Sequence, residues 1–441
     1  MEQAAEHLDL LIEARWVIPV EPANTTLEHH AVAIRGEHIV AVLPISEARM
    51  RFSAAQTVSL PDHVLIPGLI NLHAHTAMSL LRGIADDLPL MRWLNESIWP
   101  TENKHVSERF VFDGTLLGGA EMLRGGVTCV SDMYFYPEAS ARAYEQLGMR
   151  AVVGMTVIDF PTSYASDAED YLSKGLLVRD NWLDHPRISF SLAPHAPYTV
   201  SDSTWERIGS LAQELDILVH THVQETADEV LQSLEKHGVR PLTRLESLGL
   251  LGPNLLIAHA VHVTPEEIRM LASNNVGVAH NPTSNMKLAS GAAPVSQMIA
   301  AGIHVGLGSD GAASNNRLDI FQEMRMASLL AKHSNADAGA LPAHKALQMA
   351  TLDAAHALGM QDTIGSLSPG KKADIAAVAL DTLETAPVFD PASHLVYVAG
   401  REHVSHVWIG GRNLMQEKVL LHNDNKELLR ISRLWQNSLK N

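Results

Sequence analysis

The central part of the chain alternates two hydrophobic patterns. Apolar and β-branched runs typical of buried strands recur at residues 64–71, 127–132, 151–156, 188–193, 217–222, 255–258, 276–279 and 305–309. Segments with helical periodicity separate most of them, among them residues 203–215, 265–272 and 294–301. Repeated strand-then-helix units predict a parallel sheet, and eight strands over about 250–300 residues suit a TIM-type (β/α)8 barrel. The predicted fold class is therefore α/β, with a doubly wound open sheet as the competing architecture.

Strand patterns also occur at both ends of the chain. They cover residues 11–20, 30–34 and 38–43 near the N-terminus and residues 373–380 and 404–409 near the C-terminus. Neither group has enough strands to be stable by itself. We therefore predict that residues 1–63 and 366–441 form one small β-sandwich-like domain beside a catalytic barrel of residues 64–365. A helical pattern over residues 343–360 closes the barrel region, and an amphipathic helix over residues 425–439 follows the last strands.

Composition narrows the class of protein. The 441 residues are 46% hydrophobic and 19% charged, which is enough for a substantial core. A net charge of −17 argues against binding to nucleic acid or to an anionic membrane surface. The only cysteine, Cys129, excludes internal disulfides and cysteine-rich zinc sites. The single cysteine also favours a reducing, cytoplasmic location. Charged residues interrupt the apolar N-terminus and no run approaches a membrane span, so we expect neither a signal peptide nor a membrane-spanning helix.

Two histidines, His73 and His75, end the first run of the predicted barrel. Side chains alternate faces along a strand, so both imidazoles point to the same side and can converge on one ion. A lone His-x-His pair is more often a packed pair than a metal site. Whether this pair binds a metal therefore depends on which side chains lie at the ends of the other strands.

Further polar side chains follow several of the other predicted strands. They are His195 after the fourth strand, His220, His222 and Glu225 at the fifth, His259 and His262 at the sixth, His280 at the seventh and Asp310 at the eighth. The C-terminal ends of barrel strands open onto one face, where such residues meet, whereas an open sheet would scatter them. Three neutral imidazoles and a carboxylate suit a borderline cation such as Zn²⁺ and leave a position for water.

The motifs around these positions resemble the amidohydrolase superfamily and, within it, the 5-methylthioadenosine/S-adenosylhomocysteine deaminases. The resemblance covers nearly the whole chain. The matching runs are Pro-Gly-Leu-Ile-Asn-Leu-His-Ala-His at 67–75, Leu-Arg-Gly-Ile-Ala-Asp-Asp-Leu-Pro-Leu at 81–90, Pro-His-Ala-Pro-Tyr at 194–198, His-Val-Gln-Glu-Thr at 222–226, His-Asn-Pro-Thr-Ser-Asn at 280–285 and Gly-Ser-Asp-Gly-Ala-Ala-Ser-Asn-Asn at 308–316.

The resemblance implies a role for each residue of the cluster. His73, His75, His222 and Asp310 would hold one divalent metal ion, with Zn²⁺ as the expected cation. The fourth strand has no lysine to bridge a second ion. Asp310 would take the proton of the attacking water, and Glu225 would protonate the ring nitrogen beside the attacked carbon. His259 would stabilise charge on the attacking oxygen. His220, His262 and His280 are expected to be supporting residues.

The implied substrate is a nucleoside. Glu102 would accept hydrogen bonds from the ribose hydroxyls, His195 would contact the nucleoside, and Ser314 would contact the purine edge. Family members that handle S-adenosylhomocysteine well have an arginine after the third strand, and the resemblance implies that the corresponding residue of this chain is Met155. A thioether suits a small apolar 5′ group. We therefore expect 5′-methylthioadenosine to be preferred over S-adenosylhomocysteine, with adenosine as a slower substrate.

Two other classes of function remain open at this stage. A related amidohydrolase could act on guanine, 8-oxoguanine or a chlorinated triazine with the same metal set, and the Glu102→Ala variant would distinguish a free-base reaction from a nucleoside reaction. A non-catalytic scaffold is the other alternative, although the full set of ligands argues against it. The family resemblance also implies a homo-oligomer.

Overall fold

The computed structural model describes residues 5–440, so the outermost residues of the predicted ranges 1–63 and 366–441 lie outside it. The strands are β1 (Glu6–Val17), β2 (Leu27–Arg35), β3 (His38–Pro44), β4 (Phe52–Pro67), β5 (Leu69–Ala74), β6 (Val127–Tyr134), β7 (Arg150–Val157), β8 (Ile188–Pro194), β9 (Val219–Val223), β10 (Leu255–His259), β11 (Gly277–His280), β12 (Val305–Leu307), β13 (Ile375–Ala379), β14 (Val404–Ile409), β15 (Arg412–Gln416) and β16 (Val419–Leu420).

Helices alternate with most of these strands. They are α1 (Ile45–Arg51), α2 (Leu90–Trp93), α3 (Trp99–His105), α4 (Glu108–Arg124), α5 (Pro137–Leu147), α6 (Ala168–Asn181), α7 (Asp202–Leu215), α8 (Ala227–His237), α9 (Pro241–Ser247), α10 (Pro265–Ser273), α11 (Pro282–Lys287), α12 (Val295–Ala300), α13 (Ile320–Asn335), α14 (Ala343–Met349), α15 (Leu352–Ala357), α16 (Pro391–Tyr397) and α17 (Asn425–Leu439). A π-helical segment, Leu94–Ile98, joins α2 to α3. Among residues 5–440, no helix is both long and apolar enough to cross a lipid bilayer.

Strands β5 to β12 form one parallel sheet in chain order, which confirms the predicted barrel. The last strand returns to the first, because the amide of Asp310 donates to the His73 carbonyl at 2.9 Å. The side chain of Asn71 joins the same two ends, accepting from the Ser309 amide at 2.9 Å and donating to its hydroxyl at 2.7 Å. Closure therefore brings the end of β12 beside the His-x-His pair.

The remaining eight strands form a second sheet from both ends of the chain, in the order β16-β15-β14-β13-β4-β1-β2-β3. Strands β1 and β4 are parallel, and the other neighbours are antiparallel. The predicted assembly of one small β unit from the two termini is thus confirmed. Its long strand β4 was not predicted, because polar residues interrupt its hydrophobic pattern.

The prediction of one barrel strand over residues 64–71 is wrong. Residues 64–67 end β4 of the terminal sheet, where Leu65 pairs with Ala377, and the barrel strand begins only at Leu69. The chain changes sheet at Gly68, where a Cβ atom would lie 2.1 Å from Oγ1 of Thr128. Both sides of the glycine are buried and apolar, so hydrophobicity does not mark the boundary.

The helical pattern over residues 343–360 forms two helices, α14 and α15, instead of one. The break between the helices leaves the carbonyl of Ala350 free to accept a hydrogen bond of 2.8 Å from the amide of Ile70 at the start of β5. The C-terminal helix agrees with the prediction. Its Trp435 packs edge-on against Phe110 of α4 at 5.2 Å and donates to Asp113 at 2.9 Å.

Candidate metal centre

Four potential ligands meet at the C-terminal face of the barrel. Their donor atoms all lie within 4.8 Å of one another: His73, His75, His222 and Asp310. Oδ1 of Asp310 lies 3.4 Å from Nε2 of His73 and 3.2 Å from Nε2 of His75. Nε2 of His222 lies 3.2 Å from Nε2 of His75. The predicted ligands are therefore brought together by the ends of β5, β9 and β12.

The far nitrogen of each imidazole is fixed by a neighbour. Nδ1 of His75 bonds to the carbonyl of Met133, and Nδ1 of His222 bonds to the carbonyl of His195, both at 2.6 Å. Such contacts place the proton on Nδ1 and leave the lone pair of Nε2 available to bind a cation.

His73 is held by a second histidine. Its Nδ1 lies 3.0 Å from Nε2 of His220, whose own Nδ1 lies 3.1 Å from the Ser131 hydroxyl. The opposite nitrogen, Nε2, is fully buried and forms no hydrogen bond within the described residues. A buried donor atom without a partner, facing two imidazoles and a carboxylate, fits a bound cation. These residues form a metal-binding site, and His220 supports it from behind.

The charges of the ligands also suit a cation. Burial lowers the pKa of His73 to about 4, so its ring is neutral, as a ligand must be. Burial opposes ionisation of Asp310, but the adjacent imidazoles of His73 and His75 hold its pKa well below its usual range. Burial alone would lower the pKa of His75, yet the adjacent carboxylate raises it to about 9. A divalent cation would therefore displace a proton from His75 as it binds.

The second oxygen of Asp310 is held by two hydroxyl groups. Ser284 donates to Oδ2 at 2.6 Å, and Ser314 donates to it at 2.9 Å. Ser314, which we expected at the purine edge, lines the cavity, and its hydroxyl orients the metal ligand Asp310. The backbone of Asp310 has a φ of 60°, a strained conformation that these contacts and the barrel closure maintain.

The two remaining acid–base candidates face each other beside the ligands. Oε2 of Glu225 lies 3.9 Å from Nε2 of His259, and both side chains line the same cavity. Burial raises the pKa of Glu225, which favours a carboxylic acid that can donate a proton. Nδ1 of His259 bonds to Oδ1 of Asn285 at 2.7 Å, which fixes the ring. Sequence reasoning missed this role of Asn285, although the residue ends one of the motifs quoted above.

A cavity extends from the metal site and is lined in part by helix α3. Glu102, from this helix, and His195 both line it. Tyr134 donates to Oε1 of Glu102 at 2.6 Å, while the apolar surroundings raise the pKa of this carboxyl group to about 7. The outer wall is formed by apolar side chains: Trp93, Leu94, Ile98, Trp99 and Phe160. Tyr134 and this wall were not predicted, although Tyr134 follows the second barrel strand as the ligands follow theirs.

Three sequence-selected residues lie away from the cavity. Nε2 of His262 bonds to the Ser290 carbonyl at 2.7 Å, and His280 lines a separate cavity, so both lie outside the ligand group. The prediction that Met155 lines the substrate pocket is wrong. Its side chain points to the outer face of β7 and packs against Gly175 of α6, because neighbouring residues of a strand alternate faces.

The closed barrel and its His₃Asp site define a metal-dependent hydrolase. The chain belongs to the amidohydrolase family, which its residues 64–414 match. It is 46% identical over 428 residues to a 5-methylthioadenosine/S-adenosylhomocysteine deaminase of Saccharophagus degradans, covering 97% of this chain and 96% of the relative.

Two solved structures with the same fold contain zinc. An adenosine deaminase from Xanthomonas campestris with bound zinc superposes with a TM-score of 0.98 at 48% identity, covering 99% of this chain and all of that one. The atrazine chlorohydrolase TrzN from Arthrobacter aurescens, complexed with zinc, gives a TM-score of 0.89 at 25% identity, covering 97% of this chain and 99% of that one. The protein is thus an enzyme and not a non-catalytic scaffold.

Proposed function

We propose that the enzyme hydrolytically deaminates 5′-methylthioadenosine, releasing the inosine derivative and ammonia, and that it uses one Zn²⁺ ion. One observation carries the nucleoside part of this proposal: Glu102 shares a cavity with the metal ligands and with Glu225. The similarity to the Saccharophagus relative supports the substrate, and the zinc-bound Xanthomonas structure supports the cation.

The cation would be held by His73, His75, His222 and Asp310, and would supply Lewis acidity that makes water a nucleophile near neutral pH. Asp310, oriented by its serine partners, accepts the proton of the attacking water. Glu225 then donates a proton to the ring nitrogen beside the attacked carbon. As a carboxylate, it assists the departure of ammonia by taking the proton of the added hydroxyl, while Asp310 passes its own proton to the leaving amine. The raised pKa of Glu225 suits its proton donation, and the adjacent His259 stabilises the charge that develops during attack.

The ribose is selected by the carboxylate of Glu102. A carboxylate accepts hydrogen bonds from two hydroxyl groups, and Tyr134 already holds one of its oxygens in place at 2.6 Å. His195 lines the cavity beside the ligands, with its ring 4.9 Å from that of His222, and burial lowers its pKa to about 3. It therefore meets the nucleoside as a neutral imidazole.

The 5′ group is selected by the apolar outer wall. None of the described residues that line the cavity is an arginine or a lysine. The carboxylate of a homocysteine substituent would therefore enter without a cationic partner, which is costly in an apolar site. A methylthio group instead packs against Trp99 and Phe160. Met155 lies outside the cavity, so the preference for 5′-methylthioadenosine depends on this wall and stays a prediction.

The Glu102→Gln variant tests whether the substrate is a nucleoside. We expect kcat/KM for 5′-methylthioadenosine to fall by about 100-fold, because hydrogen bonds to a charged group contribute about 1.5–3 kcal/mol each. Lys104→Ala, at an exposed position of the same helix outside the cavity lining, is the control, and metal content should be unchanged in both variants. If Glu102→Gln leaves nucleoside turnover intact, or if the wild-type enzyme prefers a free base or a triazine, the proposed substrate class is wrong.

We further propose that the enzyme acts in the cytoplasm as a homo-oligomer. A single buried cysteine, Cys129, is typical of proteins from reducing compartments. Leu383 and Phe389, on the segment between β13 and α16, are 93% and 90% exposed, which supports a surface covered by another subunit. Light scattering on the purified protein measures the oligomeric state.

A further inference from the structure

The main chain around Glu225 is held in a strained conformation. The preceding residue, Gln224, has a φ of 54°, a region that non-glycine residues rarely occupy. The turn directs Glu225 into the cavity at the end of β9. Such a conformation persists only where surrounding contacts hold it.

A buried carboxylate on the next helix supplies those contacts. Oε1 of Glu229 accepts from the amide of Gln224 at 2.8 Å, and Oε2 accepts from the amide of Glu225 at 2.9 Å. Only 5% of Glu229 is exposed. One carboxylate therefore holds the main-chain amides of both the strained residue and the proton donor.

This arrangement differs from an ordinary helix cap with the same sequence spacing. In α10, Glu267 lies three residues after the N-cap Thr264 and accepts from its amide at 2.8 Å, which completes a capping box. In α8, Glu229 lies three residues after the N-cap Thr226. Its carboxylate instead reaches past Thr226 to the two preceding amides. The helix thus leaves its own capping box incomplete, and the carboxylate serves the loop that carries Glu225.

The side chain of Gln224 is held from the opposite direction. Its Nε2 donates to the carbonyl of His262 at 3.0 Å and to Glu267 at 3.1 Å, and its Oε1 accepts from the amide of Leu242 at 3.2 Å. The strained residue therefore has little freedom to relax. Only the link to Glu229 includes the amide of Glu225 itself.

We propose that Glu229 is a positioning residue, which holds the main chain of Glu225 so that its carboxyl group meets the substrate's ring nitrogen. This inference rests on the proposed function, in which Glu225 is the proton donor. Misplacing a catalytic group by about 1 Å can cost about 100-fold in rate. The loss of Glu229 should therefore lower kcat and leave KM, which depends on Glu102 and the apolar wall, nearly unchanged.

A double-mutant cycle separates positioning from general structural support. We expect Glu229→Gln, which retains one acceptor oxygen, to lower kcat by about 10- to 100-fold with KM changed less than about twofold. In the Glu225→Ala background, the same substitution should lower the residual kcat by less than about twofold, because no proton donor is left to position. Glu229→Asp keeps the charge, but its side chain is too short to reach both amides, so it should lower kcat in the same way. It replaces Glu229→Gln in the test if the glutamine variant does not fold.

The matched control is Thr226→Ala, which removes the hydroxyl that caps α8 at 3.2 Å from the Glu229 amide. It should lower the melting temperature and leave kcat within about twofold, since a cap contributes about 1 kcal/mol to stability. The inference is overturned if the Glu229 variants keep wild-type kcat, if their losses are as large in the Glu225→Ala background, or if Thr226→Ala lowers kcat equally. Failure of the proposed function is distinguishable, because the wild-type enzyme would then not deaminate the nucleoside.

Discussion

At the scale of single residues, the reactive side chains are held by neighbours that do not themselves take part in the reaction. His222 is oriented by the carbonyl of His195, and His259 is oriented by the amide oxygen of Asn285. These contacts connect side chains that are far apart in sequence. A single sequence could predict the ligands from their positions at strand ends, but it could not pair each with its supporting residue.

The Asn285→Ala variant tests this support at one position. The ring of His259 would lose its partner at 2.7 Å and could rotate away from Glu225. We expect kcat to fall by about 10- to 100-fold, with KM changed less than about twofold, because the ring acts on the reacting atoms. Steady-state assays measure both constants. Asn335→Ala, on the exposed end of α13, is the control, and equal kcat values for the two variants would contradict the assigned role.

At the scale of elements, the barrel could be predicted because its strands are short buried runs followed by polar residues. The prediction failed at Gly68, where one apolar run belongs to two sheets, and at Met155, where the side chain faces a helix. Segment 90–105 was not assigned, although its short helices and π-helical turn carry Glu102 and most of the apolar wall. Its position depends on long-range packing, which local patterns do not encode.

The Gly308→Ala variant tests how closely β12 must approach β5. A Cβ atom at this position would lie 2.3 Å from Oδ1 of Asn281 and 2.9 Å from the main-chain nitrogen of His73. The two strands would have to separate, which would move Asp310 away from the imidazoles. We expect less than about one tenth of wild-type metal content and activity, because misplaced ligands lose affinity steeply.

The matched control for this substitution is Gly339→Ala. Gly339 is exposed, and its nearest neighbour for a Cβ atom is a side-chain oxygen of Asp337 at 3.2 Å. Metal content measured by mass spectrometry should equal that of the wild type. Full metal occupancy in Gly308→Ala would show that the barrel closure does not position the ligands.

At the scale of the whole molecule, a buried ion pair joins the barrel to the terminal sheet. Arg150 of β7 contacts Asp374, just before β13, at 3.0 Å and 3.3 Å, and both side chains are about 95% buried or more. Asp374 also accepts from the amide of Gly410 at 2.8 Å. The pair therefore connects the barrel to both the start of β13 and the end of β14.

Removing one partner of this pair should be costly. We expect Arg150→Ala to lower the free energy of unfolding by about 3–5 kcal/mol, because it leaves Asp374 buried and without a counter-charge. The control is Arg109→Ala, since Arg109 is 68% exposed in its pair with Asp113 and should contribute at most about 1 kcal/mol. Denaturant titration measures both variants, and equal losses would show that the Arg150 pair does not stabilise the joint.

The most direct test of the central claim is the turnover of 5′-methylthioadenosine by the zinc-loaded enzyme. Turnover is measured by the change in absorbance as the adenine ring becomes hypoxanthine, and by the release of ammonia. We predict one ammonia per nucleoside consumed, and a kcat/KM at least about tenfold above that for S-adenosylhomocysteine, because an unpaired carboxylate in the apolar wall costs more than about 1.4 kcal/mol. The proposed reaction would be contradicted if none of the adenosine derivatives tested released ammonia. Preference for S-adenosylhomocysteine would contradict the account of the apolar wall.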